Sequence, residues 1–231
     1  MTTYVLVPGF FLGGWAWRDV AAHLRARGHE AHPVTLTGLG ERAHLARPDV
    51  DLDTHIDDVA HLLRYRELRD VTLVGHSYGG EVVTGVADRL PHLVSRLVYV
   101  DTGPLPDGVS QNDFARSAGA PQEPTDGFLP PPPWASVSEG EDGVDLARLS
   151  SLATPQPWAT ATAPVRLTGA WEKIPCHGVF SSFTVEQVRA MAATVPFFRL
   201  MVGPQWTYAE LPGWHWPLLN RAAELSVLLE G

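Results

Sequence analysis

The sequence predicts an α/β protein, with a mostly parallel sheet covered by helices on both faces. Two observations carry that expectation. Short apolar, β-branched runs alternate with helical-spacing stretches of about ten residues, the rhythm of βα units with strands buried on both sides. One of these runs passes directly into a glycine-flanked serine and a further helix-like segment, VTLVGHSYGGEVVTG at 71–85. At 231 residues the length suits one domain with a full core. A single domain over 1–231, carrying an insertion at about 103–164, is therefore expected.

The elements follow in order. Tyr4–Val7 reads as a buried strand stopped by Pro8-Gly9, and a helix over Trp17–Ala26 is closed by Gly28. Glu30–Leu36 is a second strand. Asp53–Leu63 has helical spacing, with Ile56, Val59, Leu62 and Leu63 on one face. Val71–Val74 is a third strand, Glu81–Leu90 a helix and Leu93–Val100 a fourth strand. The rhythm then breaks. Residues 103–164 hold most of the prolines, including PPPP at 130–133, and read as an irregular insertion with two short helices. Ile174–Phe183 resumes as a strand, and Thr184-x-x-Gln187 is a capping box opening the next helix. A strand near Thr207–Leu211, a Trp/His-rich turn and a helix over Asn220–Leu229 close the chain.

Composition narrows the partners. The formal charge of −9 argues against nucleic acid or an anionic membrane, because phosphate binding relies on clustered Lys and Arg. No run approaches a membrane span, and the start has neither a basic region nor a small-residue cleavage site. The one cysteine, Cys176, suits a reducing compartment, so a cytoplasmic location is expected. No metal or cofactor is expected: a solvated acidic helix face accounts for Asp51, Asp53, His55, Asp57 and His61. The oligomeric state is open, a homodimer included.

Ser77 is the first candidate for chemistry. The pattern G-x-S-x-G is weak by itself, but here a strand precedes it and a helix follows. A sharp strand-to-helix turn strains the serine backbone and demands small residues two positions either side, which Gly75 and Gly79 are. The helix also directs its positive end at developing negative charge. A serine needs a base, and in LPGWHWP His215 lies in a turn after the last strand. Near the start, PGFFLGGW puts glycines directly after strand one, so backbone N–H groups can face a reacting oxygen. The amides of Phe10 and Tyr78 are the expected oxyanion donors.

Taken together, VPGFFLGGW, GHSYGG and GWHWP resemble the α/β-hydrolase fold family, and within it the small esterase branch that contains plant methylesterases and hydroxynitrile lyases. The resemblance runs in order along nearly the whole chain, with the insertion matching in kind as a cap. It implies Ser77 as nucleophile, His215 as general base and acid, and Phe10 and Tyr78 as oxyanion donors. Hydroxynitrile lyases of this branch carry a threonine in the first loop and a lysine after the histidine. Gly9 and Trp216 stand there instead, which favours the esterase reading.

The acid departs from the pattern. Relatives usually carry an aspartate just past the strand HGVFSSF, where this chain has Ser181, Ser182 and Phe183. Glu186 falls in the first helical turn, and Glu172 precedes the strand. Asp101 is the better candidate. It directly follows LVYV, and parallel neighbours lie about 4.8 Å apart, so it emerges at the same sheet edge as Ser77. The order Ser77, Asp101, His215 also suits the fold; without Asp101 the site would be a Ser-His dyad.

The expected reaction is hydrolysis of an ester, thioester or lactone of a small hydrophobic molecule. Phe11, Trp15, Trp134, Trp214 and Trp216 are the expected pocket walls. Cyclisation, elimination or acyl transfer in the same pocket is an alternative, and so is a ligand-binding protein that has lost hydrolysis.

Overall fold

The computed structural model describes residues 1–120 and 123–231; Pro121 and Gln122, within the expected insertion, lie outside the described residues. Six parallel strands form the central sheet: β1 (Thr3–Val7), β2 (Glu30–Pro33), β3 (Val71–His76), β4 (Val94–Val100), β7 (Cys176–Phe180) and β8 (Trp206–Glu210), in the order β2-β1-β3-β4-β7-β8. Every residue of β3 and β7 is buried, as expected of strands covered on both faces. Strand order reverses between β1 and β3, and clefts in such sheets open at the carboxyl ends beside that point.

The flanking helices owe their positions to one apolar face each. On α1 (Arg18–Ala26), Val20, Ala21 and Leu24 are buried. On α2 (Leu52–Tyr65), capped by Asp51 accepting from the Thr54 amide at 2.9 Å, the buried face is Leu52, His55, Ile56, Val59, Ala60 and Leu63. His55 is thus a core residue and not part of a solvated face. Its ring meets the Tyr78 hydroxyl at 3.0 Å and the Thr37 carbonyl at 2.8 Å. Helix α3 (Gly79–Arg89) is buried from Gly79 to Asp88. It packs so closely on α2 that a Cβ on Gly85 would overlap Ile56.

The insertion is more regular than its composition suggests. Among the described residues it holds α4 (Gln111–Ser117), α5 (Trp134–Val137), α6 (Leu146–Leu152) and α7 (Trp158–Thr162), with β5 (Phe128–Leu129) and β6 (Gln156–Pro157) paired antiparallel. After β7 come α8 (Val185–Ala192), with the expected Thr184/Gln187 capping box, and an unforeseen α9 (Pro196–Arg199). The last helical segment is broken at Arg221 into α10 (Pro217–Asn220) and α11 (Ala222–Leu228). β7 is shorter than expected for a physical reason: the amides of Ser181 and Ser182 leave the ladder to bond a side chain, described below. No helix among the described residues is long and apolar enough to cross a membrane.

Candidate active site

Ser77 follows β3 with φ 51°, in the left-handed region that non-glycine residues rarely occupy. The turn is compressed on all sides. A Cβ on Gly75 would overlap the Gly79 carbonyl, one on Gly79 would lie 2.6 Å from the Val7 oxygen, and one on Gly80 2.7 Å from Thr102 Cγ2. The Ser77 amide still reaches the Val100 carbonyl at 3.2 Å. This contact holds the serine at the sheet edge beside β4.

Asp101 takes the equivalent position one strand over, also with a left-handed backbone, φ 51°, its amide donating to the Val179 carbonyl at 2.8 Å. Its carboxylate is saturated. Oδ1 accepts from the amides of Ser181 at 2.7 Å and Ser182 at 2.9 Å; Oδ2 accepts from the Ser182 hydroxyl at 2.6 Å and from His215 Nδ1 at 2.6 Å. Burial alone would raise the Asp101 pKa. The His215 hydrogen bond and charge, with the Ser182 and Ser181 donors, outweigh it and bring the pKa down to about 2. The carboxylate that meets His215 therefore directly follows β4, and the segment after β7 supplies donors to it.

Because Nδ1–H is committed to Asp101, the other His215 nitrogen, Nε2, is the one left to act as a base. His215 and Ser77 line the same cavity. Beneath them His76 is fully buried and donates from Nε2 to the His215 carbonyl at 2.8 Å, while burial and the nearby His215 depress its pKa to about 3. His76 fills a variable position of the G-x-S-x-G pattern. Its value as a support for the histidine loop appears only when the loop is seen above it.

The amides of Phe10 and Tyr78 find no acceptor among the described residues, although both residues are buried. Their rings lie tilted by 31° to one another, with centroids 4.5 Å apart. Gly9 leaves no space for a side chain, since a Cβ there would sit 2.8 Å from Ser77 Cβ. A hydroxyl, an imidazole and a carboxylate in this order, beside two unpaired amides, can activate a nucleophile and stabilise an oxyanion.

The pocket walls differ from expectation. The cavity at Ser77 measures about 260 Å³ and is walled by Leu105, Phe114, Phe183, Phe197, Phe198 and Met201. Gln111 is its one amide side chain, and Asp101 and His215 are the only ionisable groups on its wall among the described residues. Phe11, Trp134, Trp214 and Trp216 do not line it. They form an edge-to-face and tilted chain, Phe11–Trp134 at 6.3 Å, Trp134–Trp216 at 5.4 Å and Trp216–Trp214 at 4.8 Å, which ties the first loop, the insertion and the histidine loop together. Trp15 instead lies under Arg148 in a separate recess. Aromatic character marked these residues as important, but their contacts are with one another.

Residues 4–226 match the model of the alpha/beta hydrolase family. A carbendazim hydrolyzing esterase of Nocardioides sp. (strain SG-4G) is 54% identical over 101 residues, a stretch covering 44% of this chain and 42% of that protein. A pyrethroid hydrolase of Sphingobium wenxiniae is 30% identical over 129 residues, covering 55% of this chain and 44% of that one. The matched stretches thus span less than half the length of these curated relatives. Among solved structures, the methylesterase MES16 from Arabidopsis superposes with a TM-score of 0.75 at 21% identity, over 100% of this chain and 98% of that one. The likeness there is one of fold.

Proposed function

The chain belongs to the alpha/beta hydrolase family, and on that premise we propose that it is a serine hydrolase. It cleaves an ester, thioester or lactone bond of a small hydrophobic molecule through an acyl-Ser77 intermediate. The observation that carries this reading is the 2.6 Å bond from His215 Nδ1 to Asp101, on a histidine that shares a cavity with a strained serine. His215 Nε2 takes the Ser77 proton as the hydroxyl oxygen attacks the carbonyl carbon. The oxyanion that forms is held by the Phe10 and Tyr78 amides. Collapse expels the alkoxide or thiolate, protonated by His215. Water, deprotonated by the same imidazole, then attacks the acyl-enzyme and releases the acid. Asp101 stays ionised throughout, fixing the tautomer and stabilising the imidazolium.

The substrate follows from the walls. A cavity of about 260 Å³ is below the roughly 300–1,000 Å³ of drug-sized sites, and no free cation on its wall among the described residues would pair a carboxylate substrate. A small, uncharged acyl or alkoxy group is the matching ligand. The named esterase and pyrethroid hydrolase relatives support ester cleavage as the reaction class. The net charge of −9 supports a small-molecule partner over nucleic acid, and the single, buried Cys176 supports work in a reducing compartment such as the cytoplasm.

Turnover of short p-nitrophenyl esters tests the reading. Wild-type protein is expected to release p-nitrophenolate repeatedly, and Ser77→Ala to lose at least about 10³-fold in kcat/KM. Equal rates for the two proteins would remove Ser77 from the mechanism. A single burst without turnover would favour a transferase, and no release at all would favour a ligand-binding protein.

A further inference from the structure

Phe11 directly follows one candidate oxyanion donor, and it holds φ 69°, a conformation uncommon for a bulky side chain. The insertion grips both of its main-chain polar groups. The Phe11 amide donates to Gln156 Oε1 at 3.1 Å, and the Phe11 carbonyl accepts from the Thr154 amide at 2.9 Å. Gln156 is fully buried and its orientation is fixed. Its Nε2 donates to Thr160 Oγ1 at 2.8 Å, and that hydroxyl donates onward to the Pro157 carbonyl at 2.7 Å. Since the Phe11 amide can only donate, the glutamine oxygen must face it and the nitrogen must face Thr160.

A cap that only shielded the cavity would be served by an apolar side chain here, because a buried amide is costly unless every group is paired. Here the oxygen and the nitrogen each find a partner, and the oxygen is directed at the first loop. We propose that Gln156, assisted by Thr154, is a positioning residue that locks Phe11 in its left-handed conformation and so aims the Phe10 amide at the reacting oxygen. The inference rests on the serine-hydrolase reading above. The Gln156 bond fixes the Phe10–Phe11 peptide plane, and the Thr154 bond fixes the next one. On the other side, Gly9 is wedged against Ser77. The cap is thereby part of the oxyanion hole, and loosening it weakens transition-state binding more than substrate binding.

A paired-substrate experiment separates this role from a general structural one. A thiocarbonyl sulfur accepts hydrogen bonds poorly, so a thionoester gains little from oxyanion donors. Gln156→Met keeps the side-chain bulk and removes the acceptor. For p-nitrophenyl acetate its kcat is expected to fall about 10–100-fold, short of the roughly 10²–10³-fold loss of a whole donor, with KM changed less than about twofold. Turnover of the matching thionoacetate falls much less, so the ester-to-thionoester ratio drops. Thr160→Val, which removes only the group orienting Gln156, shifts the ratio the same way by a smaller factor, and it decides the matter if Gln156→Met does not fold. Equal losses on both substrates, or unchanged ester turnover in a folded variant, would overturn the proposal. Mass spectrometry of the wild type keeps the two levels apart. An acylated Ser77 with an unchanged ratio sinks only this inference, whereas an unmodified Ser77 sinks the reading beneath it as well.

Discussion

At the scale of single residues, the distinctive feature is a carboxylate at the end of β4 that binds His215 Nδ1 and the donors following β7. Asp101 could be located from sequence because it is fixed by strand adjacency: the residue after LVYV must surface beside the residue after VTLVGH. Ser182 could not, since its role depends on where a backbone turns after β7. The structure makes it a partner of both carboxylate oxygens, through its amide and its hydroxyl. Ser182→Ala should therefore lower kcat about tenfold, equivalent to about 1.4 kcal/mol, while Asp101→Asn costs far more because the imidazole tautomer itself is lost. Steady-state kinetics on one p-nitrophenyl ester compares the two. A Ser182→Ala loss as large as that of Asp101→Asn would mean that the hydroxyl, and not the amides, holds the acid.

At the scale of elements, the turn between β3 and α3 is set by glycine packing. A Cβ at position 79 has nowhere to go, with the Val7 oxygen at 2.6 Å and the Pro8 oxygen at 2.8 Å. Both belong to the backbone and cannot rotate aside. Gly79→Ala is expected to destabilise the fold by about 1–3 kcal/mol, as overpacking does, lowering the melting temperature by about 2–4 °C per kcal/mol. A thermal melt within a degree of wild type would show that the turn has slack. The same local logic explains what sequence reading recovered and what it missed. The long elements α2 and α3 show their period over several turns. The insertion helices run from four to seven residues, too short for any period to register. The aromatic residues around them declare burial but not direction. So Trp134 and Trp216, expected at the cavity, pack against each other instead, and the walls come from α4, α9 and their neighbouring loops.

At the scale of the whole molecule, every group of the site gathers at the carboxyl edge of one parallel sheet. Folding the sheet and its covering helices also buries titratable groups that must stay neutral. Burial holds His55 and His177 down to about 4 and His76 to about 3, against about 6.5 in an unfolded chain. Below that value the unfolded state binds protons that the folded state refuses, so stability falls with acid. Each histidine contributes up to about 1.4 kcal/mol per pH unit. Glu81 acts in the opposite direction. Burial pushes its carboxyl well above the usual range, so the fold keeps a proton that the unfolded chain releases above about 4.3, and stability declines with rising pH. With three histidines against one glutamate, stability should climb from pH 5 to about 6.5–7 and then decline, by up to about 1.4 kcal/mol per pH unit. Urea unfolding across pH 5–9 checks this, and Glu81→Gln should flatten the alkaline side. A stability maximum near pH 5 would contradict the burial of these histidines as neutral groups. Asp101, ionised to about 2, contributes stability that is full above its unfolded pKa of about 3.9 and is lost only as pH falls through its folded value.

The central claim is that Ser77 is the nucleophile and that Asp101, from β4, drives it through His215. Labelling by a fluorophosphonate, followed by peptide mass spectrometry and timed in wild type and Asp101→Asn, tests it most directly. The account predicts one adduct, on Ser77, and labelling slowed at least about 100-fold in Asp101→Asn. An adduct on any other residue, or equal labelling rates in the two proteins, would contradict it.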